Sequence, residues 1–205
     1  MKVLHLFCIP IILTITSCGS SKDSYTQEIE AAQNELNEFY LNPKTSPLKT
    51  EELIAFKKQG GHAFYRIDSA FKVKAKLIKH VNPDTVYMPT SSEKIKSFLK
   101  SYSAKFKLNS KSYTLSLYQN IKLMNDPDHQ DYLFLPFKDM TTGKETYGGG
   151  RYIDLEMPTS NEISIDFNKA YHPYCAYTKG YSCPVPPAEN YVELPLEAGI
   201  KLRKE

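Results

Sequence analysis

The stretch KFKLNSKSYTLSLYQ, residues 105–119, has the two-residue period of an antiparallel hairpin. In its second half Tyr113, Leu115 and Leu117 occupy every second position, so one face can be buried while the other meets solvent. The polar run at 109–112 between the two halves is a turn signal. The stretch therefore predicts two antiparallel strands, 105–108 and 113–119, joined by a turn.

The same period recurs on both sides of this hairpin. Residues 71–77 place apolar side chains on one face and three lysines on the other. This lysine row is either a solvated face that resists aggregation or a surface for anionic lipid or polysaccharide. Residues 91–102 fit a helix or a strand. Further strands are predicted at 85–88, 132–137 and 192–196, and in a second hairpin of 151–157 and 162–167 around a turn at 158–161.

Two helices precede the strands. Apolar residues at helical spacing follow Ser24 and Gln27, which fit a capping box, and Asn42-Pro43 ends this helix. A second, shorter helix is predicted from Thr50 to the pair Gly60-Gly61. Because many short strands follow two helices, we predict an α+β fold with a mainly antiparallel sheet, as a sandwich or a partly closed barrel.

The start of the chain predicts a cell-envelope protein. Residues 1–17 have a short basic start and an apolar stretch that is too short to span a bilayer, and Ile15-Thr16-Ser17-Cys18 resembles the lipobox of bacterial lipoproteins. We expect residues 1–17 to be a signal peptide, 18–24 to be the lipidated Cys18 and a tether, and 25–205 to be one globular domain. The resemblance implies an outer-membrane, lipid-anchored protein on the periplasmic face or the cell surface.

Charge and cysteine content are consistent with that compartment. The chain has 26 basic and 23 acidic side chains, a balance that argues neither for nor against nucleic acid, and no nucleic acid is expected as a partner. Cys175 and Cys183 remain beyond the signal and lipidation cysteines, and in an oxidising compartment we expect them to form a disulfide. Two alternatives are a Cys175 nucleophile with His172 as its base, and a metal site of His172, Cys175 and Cys183.

The triple glycine Gly148-Gly149-Gly150 is not a phosphate loop, because no Lys-Ser/Thr pair follows it and the next residues have a strand pattern. It is either a bulge or tight bend in a curved strand, or a place where backbone approaches a ligand that Arg151 clamps as an anion. Arg151 could instead form a structural pair with Asp154 or Asp166. The tyrosines of residues 166–190 could pack a core or form an aromatic platform for a sugar or peptide.

Several motifs of the second half resemble one family. They are Pro136-Phe137, Asp139, Thr142-Gly143, Glu145 to Tyr152, Asp166 to Tyr171, Cys183-Pro184, Pro186-Pro187 and Glu189-Asn190. This pattern resembles the bacterial domain of unknown function 1684 family, over most of the chain beyond the signal. The resemblance implies no established activity.

We expect a non-catalytic domain that binds a small anionic ligand or a partner protein of the envelope. Polar residues beside Gly, Pro and a disulfide can be held rigidly, which motivates the predicted site. Its members are Glu145, Thr146, Tyr147, Gly148, Gly149, Gly150, Arg151, Asp166, Asn168, Tyr171, Glu189 and Asn190. The alternatives are an envelope hydrolase that uses Asp166 or Glu189, and a structural component of an outer-membrane complex. No metal or cofactor is expected.

Overall fold

The structure is a computed structural model and describes residues 23–203. The predicted signal peptide, Cys18 and most of the tether lie outside these residues. The helices are α1 (Ser24–Leu41) and α2 (Thr50–Lys58). The strands are β1 (Ala63–Phe64), β2 (Lys72–Lys79), β3 (Thr85–Pro89), β4 (Ile95–Leu108), β5 (Lys111–Asn120), β6 (Tyr132–Asp139), β7 (Arg151–Glu156), β8 (Glu162–Asp166), β9 (Tyr191–Val192) and β10 (Ile200–Lys201). Within 23–203, no helix is both long enough and apolar enough to cross a membrane.

The two helices form where the sequence predicts them, with one correction at the first cap. The N-cap of α1 is Asp23 rather than Ser24, and its carboxylate accepts a hydrogen bond from the Thr26 N–H at 2.7 Å. Helix α1 buries Ile29 and Tyr40, and α2 buries Leu53 and Phe56. The helices therefore pack against the rest of the domain by narrow apolar stripes.

The quoted hairpin is confirmed, with a tighter turn than predicted. Strands β4 and β5 pair up to Leu108 and Lys111, and only Asn109 and Ser110 form the turn. Both turn residues have positive φ, 48° and 64°, which is the geometry of the two-residue turns that match strand twist. The ambiguous segment 91–102 contributes to β4, which is a strand.

The predicted second hairpin is wrong. Strands β7 and β8 do not pair with each other but form the two ends of the order β7-β6-β5-β4-β2-β8, and β3 adds to β4. Only residues 157–161 join them, so both edges lie close together and the sheet curls into a half-barrel. The predicted strand 192–196 is also shorter: β9 ends at Val192 and pairs in parallel with β6.

A bulge in β4 gives the sheet a core on each face. The β4–β5 register shifts between Lys100 and Tyr102, and one extra residue moves every following side chain to the opposite face. We call the face with Tyr102, Leu117 and the larger core the inner face, and the other the outer face. The outer-face core consists of Met88, Phe98, Tyr118, Phe134 and Tyr152.

The loop that follows β8 covers this outer-face core. Cys175 and Cys183 form a disulfide in it, so neither sulfur is a free thiol or a metal ligand in this structure. The Val185 N–H donates to the Pro89 carbonyl at 2.8 Å, and the Ser91 N–H donates to the Cys183 carbonyl at 2.8 Å. The loop is thus fixed along β3. Among residues 23–203, no three His, Cys, Asp or Glu side chains cluster as metal ligands would.

Candidate functional site

Arg151, the predicted anion clamp, lies in the interior with none of its surface exposed. Its Nη2 donates to Asp139 Oδ2 at 2.8 Å and to the Leu196 carbonyl at 2.8 Å. Its Nη1 donates to the carbonyls of Ala198 and Ile200. The ion-pair partner is Asp139, rather than Asp154 or Asp166. Arg151 therefore ties β7 to the C-terminal segment, and it presents no N–H to solvent.

The triple glycine makes room for the protein's own chain. At Gly150, where φ is +90°, an added Cβ would lie 2.7 Å from the Phe137 carbonyl oxygen and 2.7 Å from Pro186. At Gly149 it would lie 2.3 Å from the ring of Tyr147. These contacts correspond to the tight bend, one of the two readings of this motif.

The residues just before the glycines are also engaged internally. The Thr146 hydroxyl is buried 3.0 Å from the Thr141 hydroxyl. The Tyr147 N–H donates to His172 Nε2 at 3.2 Å. Glu145 is exposed, and its carbonyl accepts from the Leu202 N–H. These contacts brace a turn.

Asp166 and Asn168 anchor the first helix to the sheet. The Tyr25 hydroxyl donates to Asp166 at 3.0 Å, and Asn168 Nδ2 donates to that hydroxyl at 2.9 Å. The Asp68 N–H donates to Asn168 Oδ1 at 3.1 Å. The network joins α1, the segment before β2 and the turn after β8.

Asn190 joins strands β5 and β6, and Glu189 contacts β4 and β5. Asn190 is fully buried; its Nδ2 donates to the carbonyls of Ser116 and Pro136, and its Oδ1 accepts from the Ser116 N–H. Because Pro136 has no N–H, this side chain replaces ladder bonds that the two strands cannot make. Glu189 accepts hydrogen bonds from Lys100 at 3.0 Å and Tyr118 at 2.9 Å.

Two of the twelve predicted residues, Asn168 and Tyr171, line an open groove of about 380 Å³. It lies where the curled sheet fails to close. The Tyr171 backbone bridges to Tyr152 of β7 across this gap, and the second half of α1 forms the opposite wall. The other lining residues are Ala32, Gln33, Glu35, Leu36, Phe39, Tyr40, Phe64, Asp154, Lys169, Ala170 and Tyr174. We call this cavity the seam groove.

Asp154 is the polar centre of the seam groove. Its carboxylate accepts from the Tyr132 hydroxyl at 2.6 Å and from the Tyr171 hydroxyl at 2.8 Å. Solvent reaches Asp154 through the mouth of the groove, yet burial among the surrounding groups raises its pKa, against the two hydroxyl bonds, which lower it. Since a carboxylate has about four acceptor positions, Asp154 can accept more hydrogen bonds than these two.

Aromatic rings line much of the groove, and one buried polar atom of its wall has no partner within residues 23–203. Gln33 Nε2 is buried and has no hydrogen-bond partner among the described residues. Phe39 stacks on Tyr174 with ring centroids 6.5 Å apart, and Tyr174 meets Tyr181 edge-on at 4.9 Å. A second cavity of about 270 Å³ shares Tyr171 and Tyr174 with the groove and continues the aromatic surface.

A buried chain of two histidines and a tyrosine lies behind this surface. The Tyr177 hydroxyl is 2.9 Å from His172 Nδ1 and 3.1 Å from His62 Nδ1. Because the Tyr147 N–H donates to His172 Nε2, His172 must carry its proton on Nδ1 and donate it to Tyr177. Tyr177 then donates to His62, whose proton on Nε2 has no partner among the described residues.

Burial sets the charge of both histidines. It lowers the pKa of His62 to about 4, with a smaller effect from Arg203. It lowers the pKa of His172 to about 3, with smaller effects from Arg151 and His62. Both rings are therefore neutral at neutral pH, as the hydrogen-bond order requires.

Comparison with known proteins places this architecture in a family. The family described as "Protein of unknown function (DUF1684)" matches residues 57–201. The chain belongs to this family. A solution NMR structure of an uncharacterized protein from Haloarcula marismortui is similar, with a TM-score of 0.67 and 32% identity over 87% of this chain and 94% of the other. No curated protein matches the chain.

In this DUF1684 protein the sequence pattern missed the main groups of the seam groove: Asp154, Gln33 and Phe39. Asp154 is two positions after Tyr152 along β7, and this spacing could have placed both on the outer face beside the tyrosines of the loop. Gln33 and Phe39 belong to α1, which lies outside the family match. No local pattern pairs that helix with β7.

Proposed function

We propose that this DUF1684 protein is a lipid-anchored envelope protein that binds a small, hydroxyl-rich or amine-bearing ligand in the seam groove, without catalysis. The main support for this proposal is the side chain of Asp154. It is a solvent-accessible carboxylate that two tyrosine hydroxyls hold inside an aromatic groove. The Ile15-Thr16-Ser17-Cys18 motif supports the lipid anchor. An outer-membrane location belongs to the same proposal.

The hydrogen-bond acceptors that remain free in the groove support a ligand with several donors. Tyr132 and Tyr171 use their protons on Asp154, so the two of these groups that line the groove, Asp154 and Tyr171, offer acceptors to a ligand. A ligand with several donors completes this set, and its apolar face fits Phe39 and Tyr174.

Charge favours a neutral or cationic ligand over the anion expected from Arg151. The groove contains the carboxylates of Asp154 and Glu35, and the ammonium of its Lys169 lies 2.6 Å from Glu28. Arg151 is buried in a pair with Asp139 and offers nothing to an anion. A positive group beside Asp154 would also offset the desolvation that raises its pKa.

Three sugars that share one ring but differ in charge test this preference for a cationic or neutral ligand. We would titrate the protein by calorimetry with glucosamine, glucose and glucose 6-phosphate, which are cationic, neutral and anionic at neutral pH. Glucosamine should bind best and glucose 6-phosphate worst. Tightest binding of glucose 6-phosphate would contradict the proposed ligand class.

Two carboxylate variants localise the binding. Asp154→Asn should weaken glucosamine binding by about 1.5–3 kcal/mol, because a charged hydrogen-bond partner is lost. Glu156→Gln is the matched control, since it removes a charge two positions along β7, outside the groove lining. Equal binding by both variants, or no binding of any of the three sugars, would count against the groove as this site.

A further inference from the structure

Four lysines lie side by side on the outer face, away from the part that the disulfide loop covers. Lys74 and Lys76 belong to β2, and Lys105 and Lys107 belong to the neighbouring strand β4. All four are exposed, and the residues that alternate with them are buried on the inner face. We call these four residues the lysine face.

The lysine face includes one like-charged cross-strand pair. Lys76 and Lys105 are direct cross-strand partners, an arrangement that destabilises a sheet when both carry the same charge. Glu162 is opposite Lys76 on β8, yet within residues 23–203 no carboxylate comes within 4.0 Å of any of the four ammonium groups. Elsewhere on the surface such pairs do form: Lys72 with Glu28, Lys100 with Glu189, Lys111 with Glu193 and Lys169 with Glu28.

The described chain begins beside this face. The Lys72 ammonium lies 4.8 Å from the centre of the Tyr25 ring, at the start of α1. Lys76 is four residues further along β2, or about 13 Å. Asp23 follows Cys18 by five residues, which can span at most about 17 Å. A lipid on Cys18 would therefore keep the lysine face within reach of the bilayer surface that holds the lipid.

We infer that the lysine face docks on the anionic headgroup surface of a phospholipid bilayer. The inference rests on the proposed lipid anchor, because proximity to that anchor favours a membrane over other polyanions. A lipid chain combined with a basic patch holds a protein at a membrane more firmly than either alone. Contact with anionic headgroups would also relieve the repulsion between Lys76 and Lys105.

Vesicle co-flotation of the unlipidated chain tests the face independently of the anchor. Residues 19–205 retain every described element, so this chain keeps the whole fold. It should bind vesicles that contain phosphatidylglycerol at low salt, be released at high salt, and bind phosphatidylcholine vesicles much less. Equal binding to both vesicle types would overturn the inference. Whether Cys18 carries lipid is tested separately, by the mass of the protein purified from envelopes.

A charge-matched pair of variants identifies the surface. The quadruple variant Lys74→Gln, Lys76→Gln, Lys105→Gln, Lys107→Gln should lose at least a hundredfold in binding, at roughly fivefold per lysine. The control Lys57→Gln, Lys58→Gln, Lys144→Gln, Lys179→Gln removes the same charge from exposed positions elsewhere and should bind nearly as wild type. Equal losses would overturn the inference in favour of net charge alone.

Further measurements on the quadruple variant separate membrane docking from polysaccharide binding, from misfolding and from loss of the groove. If the quadruple variant keeps vesicle binding but loses binding to polygalacturonate, the face recognises polysaccharide and the membrane inference fails. Circular dichroism should show that the quadruple variant is folded, with a melting temperature no lower than wild type. Glucosamine binding should survive in it, so a failure of the groove proposal would be visible on its own.

Discussion

Mild acid should destabilise this DUF1684 protein through the chain formed by His62, Tyr177 and His172. Both histidines are neutral in the fold, with the pKa lowered to about 4 for His62 and about 3 for His172, against an ordinary value of about 6.5. The unfolded chain therefore binds more protons as the pH falls below 6.5. The stability that these histidines contribute is present above that pH and is lost as the pH falls towards their folded pKa values.

The expected loss follows from this difference. Between about pH 7 and about pH 5, each histidine should remove about 2 kcal/mol of unfolding free energy, or about 4 kcal/mol for the pair. Both are buried, at 6% and 1% exposure, so solvent screens little of this effect. Protonation of His172 also places a proton on Nε2, where the Tyr147 N–H already donates, so the loop loses that bond. Asp154 acts in the opposite sense, because a raised pKa stabilises the fold more at low pH.

Urea unfolding at the two pH values measures this loss. Wild type should lose several kcal/mol between about pH 7 and about pH 5. The variant His62→Gln, His172→Gln should start lower and lose much less, and each single variant should fall between. His129→Gln, on an exposed turn, should retain the full wild-type loss. A flat wild-type profile, or a double variant with an unchanged loss, would show that these histidines do not control acid stability, as would NMR titration of either ring near its ordinary pKa.

Three further predictions concern stability. Reduction of the Cys175–Cys183 disulfide should cost about 2.5 kcal/mol on the loop-entropy estimate for a separation of 8 residues, measured by urea unfolding with and without reductant; an unchanged midpoint would contradict it. Asn190→Ala should lower the free energy of unfolding by about 2–4 kcal/mol, because it leaves buried groups of β5 and β6 unpaired. Asn161→Ala at an exposed turn should lower it little, and similar effects of the two variants would contradict the bridging role. Arg151→Met should lower the free energy of unfolding by about 3–5 kcal/mol, because it leaves Asp139 as an unpaired buried charge. Adding Asp139→Leu should restore part of that loss. A fully stable Arg151→Met protein would contradict a structural ion pair.

Local patterns in the sequence were enough for the helices, the first hairpin and the fold class. Each depends on a short period or a cap, and those signals act between residues a few positions apart. The second hairpin was wrong because the short turn at 158–161 joins two edges of a curled sheet that lie close without pairing. Closure of a barrel depends on the twist of all its strands, and no single stretch encodes it.

The seam groove could not be predicted for a similar reason. Its walls include α1 and β7, so Gln33 and Asp154 come to line one cavity only through the tertiary fold. The residues of the predicted polar cluster are close in sequence but do not form one site in the fold. Arg151 and Asn190, for example, donate their side-chain hydrogen bonds to buried backbone carbonyls. Polar side chains beside Gly and Pro were needed to brace irregular loops, which is a structural use of the same residue types.

The most direct test of the central claim is an NMR map of glucosamine binding on the isotope-labelled protein. Glucosamine should shift amide resonances only at residues 32–40, 154 and 168–174, and these shifts should disappear in Asp154→Asn but not in Glu156→Gln. Shifts centred on Gly148–Arg151, or tighter binding of glucose 6-phosphate than of glucosamine, would contradict a carboxylate-centred groove as the binding site.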